Sequence, residues 1–144
     1  MVLPVKADGY GHGEIEVARR AISAGVAFLA VGNAQELSSL RSSGIAFPTI
    51  VLEDLFDDEL AWAVGDGEAR LNVSGLDYAQ KLSRAAKGRG PSVKVHVNLD
   101  TGMGRMGLRA DDPVEAILRI ARLPGVEVEG VFTHFPSADE KDIS

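Results

Sequence analysis

A chain of 144 residues with a net charge of −6, 45% hydrophobic and 25% charged, has the length for one domain with a real core and the composition of a globular protein. The acidic balance excludes non-specific nucleic-acid binding through a basic face, and no apolar run reaches membrane-spanning length. Without cysteine there is no disulfide and no thiolate nucleophile; no signal-peptide pattern opens the chain, and the cytosol is the default compartment.

The hydrophobic stretch Val2-Leu3-Pro4-Val5 reads as a strand that delivers Lys6 to its C-terminal end. Gly9, Gly11 and Gly13 follow at alternate positions, with Tyr10 and His12 between them. An amine at a strand mouth is partly desolvated and gives up its proton more readily, which is the chemistry of a Schiff-base lysine. The glycines let backbone approach a bulky ligand where a side chain would clash. Taken alone, such a lysine is more often simply solvated and such glycines a plain turn.

Glu14 to Ala24 is predicted as a helix ending at Gly25, Phe28 to Val31 as a strand, and Ala34 to Ser43 as a helix stopped by Gly44. Pro48 to Leu52 is the third strand. Asp57 to Val64 is a helix with acidic residues in its first turn, where the helix dipole favours them, and with Trp62 packed inward. After the turn Gly65-Asp66-Gly67 comes a fourth strand, Arg70 to Val73. Ser74 then caps a helix that runs to about Lys87 and ends at Gly88. Val93 to Leu99 is the fifth strand. Asp111-Asp112-Pro113 starts a helix that runs to Leu123, and Val126 to Phe132 is the sixth strand.

Strands alternating with helices predict an α/β fold, a parallel sheet covered by helices. Both an open doubly wound sheet and a (β/α) barrel fit. Six strands are too few for a full eight-stranded barrel, which takes about 250 residues. The chain opens on a strand and stops soon after one, so it reads as a segment of something larger: a single partial barrel over residues 1–144.

Strand five leads directly into Asn98-Leu99-Asp100-Thr101-Gly102-Met103-Gly104-Arg105-Met106-Gly107. Gly102, Gly104 and Gly107 spell G-x-G-x-x-G, and Glu127 and Glu129 lie near the distance expected of a ribose contact. A dinucleotide site, however, needs a helix opening within the glycines, and the better helix start is Asp112-Pro113. A strand-mouth loop carrying Asp100 and Arg105 suits a barrel better, and Arg105 offers a fixed fork for an anionic oxygen. By strand alternation Lys94, His96, Asn98 and Asp100 share one face and Val93, Val95, Val97 and Leu99 the other. The valines should meet the helices. The polar face should look into a barrel interior or a site, with Lys94 and His96 in a structural hydrogen-bonded network.

The third cluster, Phe132-Thr133-His134-Phe135-Pro136-Ser137-Ala138-Asp139, puts His134 at the mouth of strand six. Lys6, Arg105 and His134 would therefore converge at the C-terminal ends of strands one, five and six, where both candidate folds build their sites. No metal-ligand spacing is apparent.

Val5 to Gly13, Asp100 to Gly107, and Thr133-His134-Phe135 with Ala138-Asp139 together resemble the alanine racemase family, in the right order and over essentially the whole chain. The resemblance implies a pyridoxal 5'-phosphate enzyme with an eight-stranded (β/α) barrel and a C-terminal β domain. It implies racemisation of L-alanine to D-alanine, which supplies cell-wall peptidoglycan, by a cytoplasmic homodimer without nucleic-acid or membrane partners. Lys6 matches the lysine that condenses with the cofactor and moves the Cα proton on one face of the substrate. Tyr10 matches the tyrosine on the cofactor phosphate. Arg105 matches the arginine near the phenolic oxygen and the substrate carboxylate, with Met103 beside it, and His134 the histidine packed on the pyridine ring. Asn98 stands where some members carry a carbamylated lysine; in members with asparagine a chloride is expected there. The family's second acid–base group is a tyrosine of the C-terminal domain, supplied by the partner subunit; that domain and strands seven and eight are not in this sequence. Two other readings stay open: another barrel-type pyridoxal-phosphate enzyme, a decarboxylase or aldolase acting on amino acids, and a non-catalytic cofactor-binding module that pairs through an open sheet edge.

Overall fold

The computed structural model describes residues 1–109 and 111–138; Asp139, at the end of the third motif, lies outside them. Six parallel strands, β1 (Val2–Pro4), β2 (Phe28–Val31), β3 (Thr49–Val51), β4 (Ala69–Val73), β5 (Val93–Leu99) and β6 (Val126–Thr133), lie side by side in sequence order. That order has no reversal, so the sheet lacks the switch point of a doubly wound dinucleotide fold. Successive addition of parallel strands is the barrel pattern. The sheet is not closed, with β1 and β6 at its two edges. This is the incomplete α/β barrel that the sequence predicts.

The helical segments are α1 (Lys6–Gly11), α2 (Glu14–Ser23), α3 (Ala34–Ser42), α4 (Asp57–Ala63), α5 (Leu76–Ala86) and α6 (Pro113–Ala121). Two of them start on side-chain caps. Asn33 Oδ1 accepts the Glu36 N–H at 3.0 Å ahead of α3, and Asp112 Oδ1 accepts the Glu115 N–H at 3.0 Å ahead of α6, where Pro113 fills the first turn. No helix opens among Gly102, Gly104 and Gly107, which removes the dinucleotide reading of that motif.

Two expectations fail. Ser74 does not cap α5: the cap position is Gly75, without a side-chain bond, and the Ser74 hydroxyl donates instead to Asp54. A half-buried carboxylate must collect donors, and Asn72 Nδ2 provides another at 2.7 Å. Burial still leaves the Asp54 carboxyl above its usual range, in spite of those bonds. Trp62 does not pack inward; it is 44% exposed. The buried face of α4 is set by Leu60 and Ala63, and a residue two past Leu60 is turned roughly 200° away from it.

The core lies between the sheet and its helices. Val31, Val51, Val73, Val95 and Val97 meet Leu37, Leu40, Leu60, Leu82 and Ile120, all essentially inaccessible. The valine face of β5 thus meets the helices as predicted. On the opposite face, polar residues of β4, β5 and β6 replace an apolar barrel filling. Glu129 is their hub. Its carboxylate accepts from Arg70 Nε at 3.0 Å, Lys94 Nζ at 3.1 Å and His96 Nε2 at 3.1 Å. Burial by itself would raise the pKa of Glu129, but the bonds from Arg70, His96 and Lys94 outweigh it and bring the pKa down to about 2. Lys94 and His96 are therefore the structural network expected of them, and Glu129 is a barrel-interior residue and not a ribose ligand. Gly130 pairs with His96 across a register shift in the β5–β6 ladder. A Cβ at Gly130 would sit 2.8 Å from the imidazole, so the glycine makes room for that ring. The ring also meets Phe28 edge-on, with centroids 5.8 Å apart.

Candidate active site

The ladder between β1 and β2 continues past Pro4 through the Val5 N–H, which donates to Ala30 O at 2.8 Å. Buried Val5 thus fixes the exit direction of the chain, and half-buried Lys6 follows at the mouth. The next segment, α1, is not a right-handed helix. Ala7, Asp8, Gly9 and Tyr10 have φ of 52°, 54°, 60° and 55°, all in the left-handed region. Gly9 is suited to it and aspartate visits it occasionally; Ala7 and Tyr10 each cost about 1–2 kcal/mol. The turn persists because its polar groups are used. The Gly9 N–H donates to Val5 O at 2.8 Å and the Gly13 N–H to Asp8 O at 2.9 Å. Asp8 Oδ1 accepts the Glu14 N–H at 3.0 Å, at the start of α2. The Ala7 N–H reaches across to Glu36 Oε1 at 2.8 Å.

The loop after β5 is built around Asp100. Its Oδ1 accepts the N–H groups of Gly102 and Gly104, each at 3.0 Å, and Oδ2 takes Arg109 Nε at 2.9 Å. Those two backbone N–H groups, with Arg109, hold the Asp100 carboxyl below the usual carboxylate range. The loop base is closed by Leu108, whose N–H donates to Asn98 O at 2.6 Å and whose O accepts the Asp100 N–H at 3.2 Å. Gly107 stands at that closure with φ 135°; a Cβ there would lie 2.6 Å from the Asp100 nitrogen. Arg105 is thereby carried on a cinched loop and not a free one. At the end of β6, Thr133 Oγ1 donates to Leu99 O at 2.7 Å and lies 2.7 Å from Thr101 Oγ1, which ties the approach to His134 to the same loop.

These three mouths surround one cleft of about 220 Å³, lined by Lys6, Gly32, Leu52, Glu53, Asn98, Arg105, Met106, Phe132 and His134. Lys6, Asn98, Arg105 and His134, the residues singled out from sequence, are brought together here. Tyr10 and Met103 are not. Tyr10 is 61% exposed at the end of the left-handed turn and Met103 is 36% exposed; neither lines the cleft. Met106, three residues beyond Met103, lines it instead, and Asn72 Nδ2 lies 3.5 Å from its sulfur. Gly32, Leu52 and Glu53 escaped sequence reasoning, although all three lie within two residues of the end of β2 or β3 and so stand at a strand mouth.

An amine, a guanidinium and an imidazole around a small cleft suit a planar carbonyl ligand that carries anionic groups. Asn98 adds a further handle. Its Oδ1 is buried without a hydrogen-bond partner, a state that costs about 1–3 kcal/mol and that a donor on a bound molecule would relieve. This lining is chemically compatible with an aromatic aldehyde that carries a phosphate, such as pyridoxal phosphate. Among the described residues no helix is long and apolar enough to cross a membrane.

The family model for the alanine racemase N-terminal domain matches residues 1–144. An alanine racemase from Desulforamulus reducens is 41% identical over 141 residues, 97% of this chain and 38% of that protein. One from Syntrophobacter fumaroxidans is 41% identical over 138 residues, 96% of this chain and 36% of that protein. The solved structure of the Clostridium difficile 630 alanine racemase superposes with a TM-score of 0.90 at 36% identity, covering 96% of this chain and 38% of that one. The chain spans little more than a third of the length of the curated relatives it matches.

Proposed function

The chain belongs to the alanine racemase N-terminal domain family, and from that premise we propose that it forms the cofactor-bearing wall of a pyridoxal 5'-phosphate-dependent racemase that interconverts L- and D-alanine. The observation that carries this reading is the convergence of Lys6, Asn98, Arg105 and His134 on one cleft at the C-terminal ends of β1, β5 and β6. The whole enzyme would be a cytoplasmic homodimer whose D-alanine product feeds peptidoglycan, with residues 1–144 as a single partial barrel domain.

When bound, pyridoxal 5'-phosphate supplies an electron sink that lowers the cost of removing a Cα proton from an amino acid. Lys6 Nζ is the group that anchors the cofactor and carries the proton on one face of the substrate. Arg105 directs its guanidinium at anionic oxygen of cofactor or substrate. His134 and Phe132 bound the cleft with rings on the β6 side, and Asn98 accepts a hydrogen bond at the strand-five side. Met106 rather than Met103 is the methionine at the substrate. Tyr10 reaches the cofactor phosphate only if that phosphate sits at the outer rim of the left-handed turn. Racemisation needs an acid–base group on the second face, and the tyrosine expected there would come from the C-terminal β domain of a partner subunit. A chain limited to these 144 residues is accordingly a poor racemase.

The test is reductive labelling. The full chain is incubated with pyridoxal 5'-phosphate, reduced with borohydride, and digested for mass spectrometry. The pyridoxyl group should sit on Lys6, and the visible absorbance that precedes reduction should vanish in Lys6→Ala. A label spread over surface lysines with Lys6 unmodified overturns the proposal.

A further inference from the structure

We infer that Glu36 is the positioning residue for Lys6, acting through a carboxylate clamp between the first two strand mouths; this rests on the reading of Lys6 as the cofactor lysine. The left-handed run Ala7–Tyr10 draws little support from its own sequence, since Gly9 is its one glycine and alanine and tyrosine disfavour that backbone. Such a turn survives only where its surroundings over-determine it. Glu36 is the long-range partner. Its Oε1 accepts the N–H of Ala7, the residue next to Lys6, at 2.8 Å, and its Oε2 accepts the N–H of Gly32 at 2.7 Å.

Gly32 lines the same cleft as Lys6. Space is tight on that side, because a Cβ at Gly32 would lie 3.3 Å from Glu36 Oε2. The clamp itself has little freedom. Glu36 lies in the first turn of α3, where the Asn33 cap fixes its backbone N–H at 3.0 Å. One carboxylate thus sets the mouth of β1 against the mouth of β2, and the direction in which Lys6 leaves its strand depends on a residue that touches neither cofactor nor substrate. An anionic carboxylate holding two N–H groups is among the stronger hydrogen-bond arrangements available for this.

The experiment uses the full chain as wild type, Glu36→Ala and Glu36→Gln, with two readouts. Amide exchange followed by mass spectrometry over the peptides holding Ala7 and Gly32 should accelerate at least tenfold in Glu36→Ala and less in Glu36→Gln, which keeps one acceptor oxygen. The share of borohydride-fixed pyridoxyl label on Lys6, with pyridoxal 5'-phosphate as the probe, should fall at least fivefold in Glu36→Ala, again with Glu36→Gln between. Unchanged exchange at both peptides overturns the clamp. Faster exchange with an undiminished label on Lys6 overturns its positioning role and leaves a merely structural bond. A wild-type chain with no label on Lys6 overturns the function assigned to Lys6, and the exchange readout then still decides the clamp by itself. Should Glu36→Ala fail to fold by circular dichroism, Glu36→Gln, of the same size, decides by the same two measurements.

Discussion

Replacing Glu129 by glutamine removes the one negative charge that Arg70, Lys94 and His96 share, with little change of shape. The size of the effect follows from the acidity of the carboxyl. A fall from 4.5 to about 2 corresponds to roughly 3 kcal/mol of preference for the charged form in the fold. The carboxylate reaches solvent, and screening reduces this to about 1–2 kcal/mol. The sign is that of a depressed carboxyl: the stabilisation is complete above the unfolded value near 4.5 and is lost as pH falls through about 2. Urea unfolding of wild type and Glu129→Gln across pH 7 to pH 2 should therefore give curves that lie about 1–2 kcal/mol apart at neutral pH and converge in acid. A gap that stays constant with pH, or a variant as stable as wild type at pH 7, refutes the account of Glu129 as a charge hub.

Further outcomes follow from single contacts. Gly107→Ala forces a Cβ to within 2.6 Å of the Asp100 nitrogen at φ 135°; the strain and the weakened Leu108 closure should cost about 2–4 kcal/mol in denaturant midpoint and weaken cofactor retention through Arg105. Gly130→Ala pushes on the His96 ring at 2.8 Å and should cost about 1–3 kcal/mol, with a shifted His96 imidazole signal by NMR. Asp112→Ala removes the cap on the Glu115 N–H and should lower stability by about 1 kcal/mol without touching Lys6 labelling.

The alternation of elements was legible in the sequence because several helix ends carry their own local signal. Glycine stops at positions 25, 44 and 88 and the Asp112-Pro113 start are short-range chemistry, and the boundaries of β2 and β5 are those predicted. Strand parity on β5 also reads directly, since alternation needs no tertiary knowledge. What failed depended on competition in space. Ser74 had a helix to cap and a buried carboxylate to satisfy, and only the fold places Asp54 within its reach. Trp62 looked like core by residue type, whereas Leu60 and Ala63 decide which side of α4 is inside. The left-handed turn after Lys6 was hidden for the same reason: only glycines advertise that backbone, and here three other residues adopt it under a constraint from Glu36, 29 positions away from Ala7. That Met106 lines the cleft and Met103 does not follows from how tightly Asp100 winds the loop, which no spacing rule reveals.

The unbroken β1-to-β6 order has a bearing on biogenesis. Each of β2 to β6 docks on the strand synthesised just before it, so these six strands can assemble one by one in chain order. Lys6, just past β1, then gains its cleft only when the β5 and β6 mouths that carry Arg105 and His134 have been synthesised.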